Sequence, residues 1–244
     1  MIHGLGDSAI HTYAPRFAAS SLRNTPSLFI DLPGFGSSTA AAKYPGTIEA
    51  MADDVALLLS YLQVSNAPLF AHSMGANISI ELCSRYPKLA HQLILADPLL
   101  HPAQSILAAR IARFSESAFA SRGFSMLVRA TSLQAHRGEE AAAAFLPTLK
   151  QANPLSLYRA AISLMRDREP TFEELLRQLP HPITMLIGQR SPMQPARPPR
   201  ADIRVRRVAN AGHFVMAEAA ESTACAILET IGKLQQGGNE RQAM

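Results

Sequence analysis

A serine between two short sequence patterns is the first candidate for chemistry. Ser73 follows an apolar pair at 69–70 that suits a buried strand, and it precedes residues 74–86, whose apolar positions recur at helical spacing. A serine at such a junction lies in a sharp turn that brings its neighbours two before and two after together, so both must be small. Ala71 and Gly75 satisfy this requirement. The stretch therefore favours a nucleophile, although an ordinary strand-to-helix turn remains open.

Two pairs of glycine and histidine could complete an active site around this serine. His3-Gly4 opens a glycine-rich turn near the start of the chain, and Gly212-His213 follows an alternating strand near its end. Glycine allows another backbone to approach closely, and histidine is the commonest general base. A lone histidine is usually structural, so these pairs gain meaning only from their order along the chain.

That order resembles the α/β-hydrolase family across nearly the whole chain. The shared motifs are the His3-Gly4 turn, the Asp31-x-Pro-Gly-x-Gly-x-Ser turn, the 71–75 nucleophile elbow and the terminal Gly212-His213 pair. Ala71 departs from the first glycine of the family elbow by one methyl group. The resemblance implies an α/β fold of the α/β-hydrolase type, a mostly parallel sheet flanked by helices with a helical cap.

The resemblance also implies roles for particular residues. Ser73 would be the nucleophile and His213 the general base, while the backbone N–H groups of Leu5 and Met74 would form an oxyanion hole. Asp31 would brace the turn after its strand by accepting backbone N–H groups, a role for which we prefer it over that of a catalytic acid. No cofactor or metal is implied.

The acid that should orient His213 is not where the family usually has it. That position, three residues after Gly188, is Ser191, and a hydroxyl cannot supply an anionic field. Asp97 is the preferred candidate, because it ends the strand after the elbow and some family members carry their acid there. Asp202 is a weaker candidate. A turn role for Asp97, with a dyad that has no acid, also remains open.

Strand and helix patterns alternate through most of the chain, which predicts a parallel sheet with helices on both faces. We expect strands at 27–32, 92–96, 183–188 and 203–208 and helices at 13–23, 47–62 and after His213. Residues 99–179 contain helical stretches at 106–114, 139–150 and 155–165 and no convincing strand. We therefore expect a hydrolase core formed by 1–98 and 180–244, with an inserted helical cap at 99–179.

Several large apolar residues of this segment either line a substrate pocket or pack into the core, and packing is favoured. They are Phe114, Phe119, Phe124, Met126, Leu127 and Met165.

Only Met1 and Ile2 precede the first turn, whereas the family has two strands and most of a third before it. The N-terminal strands are therefore expected to be missing. This would leave a vacancy beside the elbow strand or force the 27–32 strand to move. Either the native start lies upstream or the chain is a truncated member of the family.

Composition favours one soluble domain: of 244 residues, 48% are hydrophobic and 17% charged, with no apolar run long enough for a membrane span. Two cysteines, Cys83 and Cys225, are too few for a disulfide framework, so we expect a reducing, cytoplasmic location. The net charge is +4. Much of this excess comes from a basic segment that could attract an anionic substrate or carrier, although we favour a solvated face and expect no nucleic-acid site. Its residues are Arg190, Arg197, Arg200, Arg204, Arg206 and Arg207.

The sequence thus predicts a serine hydrolase that cleaves an ester, a thioester or a related acyl bond of a small molecule through an acyl-enzyme. Lactone and carbon–carbon bond hydrolysis remain open. A serine nucleophile and the lack of a proline after the His3-Gly4 turn argue against epoxide hydrolases and dehalogenases. The alternative is an inactive protein of this fold that binds a small molecule.

Overall fold

A parallel sheet forms the centre of the computed structural model, which describes residues 1–192 and 198–242, with side chains up to residue 232. The sheet has the spatial order β1-β2-β3-β4. Its strands are β1 (Ala67–His72), β2 (Ala90–Ala96), β3 (Ile183–Gly188) and β4 (Arg204–Val208). Because all four run in the same direction, their carboxyl ends meet at one edge. Arg197 of the predicted basic segment and the predicted loop at 193–195 lie outside the described residues.

Helices precede, connect and follow these strands. They are α1 (Ala14–Ala18), α2 (Ile48–Tyr61), α3 (Met74–Arg85), α4 (Ile106–Ile111), α5 (Glu116–Ala118), α6 (Phe124–His136), α7 (Glu140–Gln151), α8 (Pro154–Met165), α9 (Phe172–Gln178), α10 (Val215–Glu218) and α11 (Ala220–Gln242). Short π-helical turns at Ala9–Tyr13 and Phe119–Gly123 lead into α1 and α6, and Pro102–Gln104 is a 3₁₀ turn.

Both faces of the sheet are covered, as the alternating pattern predicted. Alternate residues of the strands pack on opposite sides: Leu93 and Leu95 join a core with α2, α3 and α8, whereas Ile94 and Ala96 join a second core with the N-terminal helix and α11. A strand buried on both faces shows a continuous apolar run, which is why 92–96 was recognisable from sequence.

The first helix differs from its predicted range of 13–23. The hydroxyl of Ser8 accepts the N–H of His11 at 3.0 Å, so helical structure begins at Ala9. It ends at Ala18, where the hydroxyl of Ser20 accepts the N–H of Leu22 at 3.2 Å. Such local side-chain bonds offer the backbone an alternative to the helix.

The segment between β2 and β3 contains helices and turns and, among the described residues, no strand. Helices α4, α7 and α8 correspond to the three predicted stretches, with α4 ending at Ile111, three residues early. Helices α6 and α9 were not predicted. The assignment of this segment as a cap remains a prediction.

The predicted strand at 27–32 is wrong. Ser27 and Leu28 are exposed, and only Ile30 forms a bridge, which pairs with Ile2. Ile2 also bridges Ala71 on β1, with its N–H donating to the Phe70 oxygen at 3.0 Å. A single residue therefore fills the central position beside β1, and one bridge is too short a partner for a ladder.

An apolar cavity of about 410 Å³ lies where the predicted vacancy would be. It is bounded by residues 25–28, by the start of β1 and by apolar side chains that include Phe17, Leu59 and Ile227. Space therefore remains near the amino end of β1, although Ile30 of the 27–32 segment is bridged to Ile2.

Strand β4 lies at the edge of the sheet, and no further strand pairs with it within residues 1–192 and 198–242. Three arginines occupy it: Arg204 and Arg207 are exposed, and Arg206 pairs with Glu229 on α11 at 2.5 Å. These three residues of the predicted basic segment are therefore at the surface, and its interpretation as a solvated face remains a prediction.

The position of Ile2 predicts a stability effect. Its side chain is completely buried and belongs to the larger core. Ile2→Ala should lower the free energy of unfolding by about 2–5 kcal/mol in a denaturant titration, because a cavity replaces a packed side chain. Leu57→Ala, at a position 71% exposed, is the matched control and should change it by less than about 0.5 kcal/mol. A loss of under about 1 kcal/mol for Ile2→Ala would contradict this role.

Candidate active site

Ser73 lies in a strained turn between β1 and α3. Its φ of 52° and ψ of −120° are rare for a residue with a side chain, and strain of this kind concentrates at functional sites. The turn is held by the Ser73 N–H, which donates to the Ala96 oxygen at 2.9 Å. Gly75 is required here, since a Cβ would lie 2.5 Å from the Ile2 oxygen. The predicted turn therefore exists, and it is packed against the backbone of Ile2 and His3.

The side chains of Ser73, His213 and Asp97 form one chain of contacts. The Ser73 Oγ lies 3.1 Å from His213 Nε2, and His213 Nδ1 lies 3.1 Å from Asp97 Oδ2. An ionised carboxylate only accepts hydrogen bonds, so Nδ1 carries the proton and Nε2 is left to accept from the serine hydroxyl. This is the order of groups that makes a serine nucleophilic.

Asp97 is completely buried at the end of β2. Its φ is 43°, and its Oδ1 accepts the N–H of Gly188 at 3.2 Å, which leaves Oδ2 directed at His213. Ser191, at the position where the family usually has its acid, is buried after β3. Asp202, the weaker candidate for the acid, is exposed and pairs with Arg200 at 2.5 Å. The structure therefore brings Asp97 to His213, whereas Asp202 faces a different partner.

The turn after Ile2 approaches the serine from the other side. A Cβ on Gly4 would lie 3.2 Å from the Ser73 Cβ, and Leu5 lines the same cavity as Ser73. His3 fixes this turn: its Nδ1 donates to the Gly4 oxygen at 2.8 Å, and its Nε2 accepts the N–H of Leu32 at 3.0 Å. Burial lowers the pKa of His3, so it remains neutral in this role.

Met74 begins α3 directly after the serine. The first N–H groups of a helix have no partner within it and point along its axis toward the turn. The two residues predicted for the oxyanion hole thus flank Ser73, with Leu5 on the turn and Met74 at the helix start.

A cavity of about 300 Å³ opens above Ser73 and His213. Its walls are mostly apolar and include Leu99, Leu107 and Phe145, and its polar lining residues include Arg110 and Gln134. Of the six apolar residues considered for a pocket, Leu127 lines this cavity. Four of the other five pack into or against the core, as the favoured alternative stated: Phe119 is buried, and Phe114, Phe124 and Met165 are partly buried. Met126 is instead 57% exposed.

His72 and Glu218 were not singled out from sequence, yet both contact the loop that carries His213. His72 Nε2 lies 2.8 Å from the His213 carbonyl oxygen, so Nε2 carries a proton and donates it. Burial, followed by the proximity of His213, lowers the pKa of His72 to about 3, so the ring is neutral at pH 7. Glu218 accepts the N–H groups of Gly212 and Phe214. The position of His72 next to the nucleophile was the only sequence signal available.

Asp31 has the bracing role predicted for it. Its Oδ1 accepts the N–H of Ile10 at 3.2 Å, and its Oδ2 accepts the N–H of Ser37 at 2.9 Å. No group of three or more His, Cys, Asp or Glu side chains within the described part of the chain is arranged to hold a metal ion. Nor is any helix of that part long and apolar enough to span a membrane.

Comparison with known proteins identifies one family by its sequence model and a similar fold among solved structures. The sequence model described as "Alpha/beta hydrolase family" matches residues 1–225. The structure is similar to that of a thermophilic esterase from Thermogutta terrifontis, with a TM-score of 0.76, 22% identity and coverage of 95% of this chain and 88% of that one. At this identity the similarity concerns the fold alone.

Two curated proteins match shorter stretches. The uncharacterized hydrolase YugF of Bacillus subtilis (strain 168) is 36% identical over 66 residues, which are 27% of this chain and 24% of YugF. The magnesium-chelatase 30 kDa subunit of Rhodobacter capsulatus is 32% identical over 87 residues, 36% of this chain and 30% of that protein. The chain thus matches 24% and 30% of the length of these two relatives.

The buried His72 predicts how stability depends on pH. In the unfolded chain a histidine takes up a proton near pH 6.5, whereas folded His72 resists protonation down to about pH 3 because of burial, His213 and His3. Its contribution to stability is therefore complete above pH 6.5 and is lost as the pH falls toward 3. Between pH 7 and pH 5 the free energy of unfolding should fall in both proteins, and the fall should be about 1–2 kcal/mol smaller in His72→Gln than in the parent.

The measurement is a urea titration at each pH. His136→Gln, at an exposed histidine of α6, is the control and should follow the parent. An equal loss in His72→Gln and the parent would contradict the buried neutral state of His72.

Proposed function

The chain belongs to the alpha/beta hydrolase family, and we propose that it is a serine hydrolase that cleaves a carboxylic ester, a thioester or a related acyl bond through an acyl-enzyme. Hydrolase activity itself is supported by the family and by the fold of the Thermogutta terrifontis esterase. The observation that carries the finer proposal is the contact chain from Ser73 Oγ through the His213 ring to Asp97, with both distances at 3.1 Å.

Acylation begins when the Ser73 Oγ attacks the carbonyl carbon of the substrate. His213 Nε2 takes the hydroxyl proton, and the resulting imidazolium is stabilised by the carboxylate of Asp97. The carbonyl oxygen becomes an oxyanion, to which the backbone N–H groups of Leu5 and Met74 would donate hydrogen bonds. When the tetrahedral intermediate collapses, His213 returns the proton to the leaving alcohol or thiol, and Ser73 carries the acyl group.

Deacylation repeats these steps with water as the nucleophile. His213 takes a proton from the water as it attacks the acyl carbon, and it then returns that proton to the Ser73 Oγ. The products are a carboxylic acid and the regenerated serine. Because Gly188 and the strained turn at Asp97 hold the carboxylate in place, His213 can serve both steps without reorientation.

The cavity limits the substrate in size and polarity. At about 300 Å³ it lies at the lower end of the range for small-molecule sites, and mostly apolar side chains line it. These features favour a small acyl compound with an apolar part. We propose that residues 99–179 act as the cap over this cavity, since Leu107, Leu127 and Phe145 of that segment contribute to its walls. A protein that only binds a ligand would not need the aligned serine, histidine and carboxylate.

Ser73→Ala tests the nucleophile. Hydrolysis of p-nitrophenyl butyrate should fall by up to about 10⁶-fold, because removal of a nucleophile leaves only the residual rate from oxyanion stabilisation. Labelling by a fluorophosphonate probe should also be lost. Ser60→Ala, at an exposed serine of α2, should match the parent in both assays. If Ser73→Ala retains activity within about tenfold of the parent, the proposed nucleophile is wrong. If the parent protein itself hydrolyses no ester but binds ligands, the result would favour a binding protein.

Asp97→Asn tests the acid. Turnover should fall by about 10⁴-fold, because an amide can no longer hold the His213 tautomer that accepts the serine proton or stabilise the imidazolium. Asp202→Asn removes an exposed carboxylate and should leave turnover unchanged.

Adding Ser191→Asp to Asp97→Asn should partly restore turnover, since position 191 is where the family usually has its acid. The opposite pattern, a nearly silent Asp97→Asn with a gain from Ser191→Asp alone, would mean that Ser73 and His213 act as a dyad.

A further inference from the structure

The loop that carries His213 has no regular structure of its own. It covers residues 209–214 between β4 and α10, and Asn210 adopts a left-handed conformation with a φ of 57°. The His213 side chain is 24% exposed, so packing encloses it incompletely. The aim of its imidazole at Ser73 therefore depends on how its own backbone is held.

Glu218 holds that backbone on both sides of His213. Its Oε2 accepts the N–H of Gly212 at 2.8 Å, and its Oε1 accepts the N–H of Phe214 at 3.0 Å. The Glu218 side chain is 9% exposed, and hydrogen bonds to a shielded carboxylate are stronger than those between neutral groups. The two peptide groups next to the base are thus fixed by one carboxylate.

Two further side chains, Arg190 and His72, complete this hold. Arg190, just after β3, donates from Nη2 to Glu218 at 3.1 Å and to the Asn210 oxygen at 3.1 Å, which ties the loop to the end of the sheet. On the opposite side His72 donates to the carbonyl of His213 itself. The N–H groups of residues 212 and 214 and the C=O of 213 all have side-chain partners from outside the loop.

We propose that Glu218 is a positioning residue for the catalytic base, acting with His72 to keep the His213 ring aimed at Ser73 and Asp97. This inference rests on the proposed serine hydrolase function. None of the chemical steps uses the Glu218 carboxylate, and both of its oxygens end on the peptide groups that adjoin His213. A displacement of about 1 Å in a reacting group costs about 10²-fold in rate.

Glu218→Gln is the direct test, because the amide keeps the size of the side chain but can accept through only one of its two end atoms. We expect kcat for p-nitrophenyl butyrate, per site titrated with a fluorophosphonate, to fall about 10²-fold while KM stays within about threefold. Combined with Asp97→Asn, it should reduce kcat by less than the product of the two separate factors, because both substitutions misplace the same ring. Glu221→Gln, which removes an exposed carboxylate on α11, should match the parent.

His72 supplies the second arm. His72→Gln retains an amide donor near the position of Nε2 and should keep kcat within a few fold, whereas His72→Phe removes the donor and should lower it at unchanged KM.

Three results would overturn the proposal. They are a Glu218→Gln variant that melts earlier but keeps the parental kcat per titrated site, a fully multiplicative double variant with Asp97→Asn, and equal kcat values for His72→Gln and His72→Phe. Should Glu218→Gln not fold, Glu218→Asp keeps the charge against Arg190 on a shorter side chain. A fall in its kcat at unchanged KM supports the proposal, and a parental kcat overturns it.

These failures are distinguishable from failure of the proposed function. An active Ser73→Ala variant would reject the nucleophile, whereas parental turnover in Glu218→Gln, in an enzyme that Ser73→Ala silences, rejects only the positioning role.

Discussion

The site depends on two places where backbone rests directly on backbone. At Gly75 the first turn of α3 lies against the carbonyls of Ile2 and His3, and at Gly188 the end of β3 lies against the carbonyl of Gly212, where a Cβ would be 1.9 Å away. Either contact leaves no room for a side chain. The first brings the glycine-rich turn to the nucleophile, and the second brings the histidine loop to the end of the sheet. Together these two contacts bring the reacting groups to the carboxyl ends of the strands.

That edge also concentrates backbone strain. Ser73 and Asp97 end neighbouring parallel strands, and each has a positive φ that costs about 1–3 kcal/mol. Each strained residue is fastened to the next strand, because the N–H of Ser73 donates to Ala96 and the N–H of Asp97 donates to Leu186, both at 2.9 Å. These hydrogen bonds offset the cost of the strain, and they also place Ser73 and Asp97 about one strand spacing apart. A single histidine ring can then span the gap between hydroxyl and carboxylate.

Local patterns were sufficient for those parts of the molecule whose conformation is set locally. The turn at Ser73 needs small neighbours, and the continuous apolar runs at 92–96 and 183–188 need two covered faces, so both were legible in the sequence. The apolar run at 27–32 was misleading, because a strand requires a partner and here the partner is Ile2 alone. Apolar side chains such as Phe119 and Met126 could not be sorted into cavity, core and surface, since that depends on how the helices between β2 and β3 pack. Glu218 carried no signal at all, because its acceptors matter only once α10 folds back on the loop.

The arginines on β4 bear on how copies of this chain meet one another. An edge strand presents unpaired backbone groups that can template the sheet of a neighbour. If two such edges approached, the exposed Arg204 and Arg207 of each copy would be brought together across the seam, and their like charges would repel. Arg204 and Arg207 thus discourage the sheets of two copies from joining edge to edge. The protection should weaken in concentrated salt, where such repulsion between exposed charges is screened.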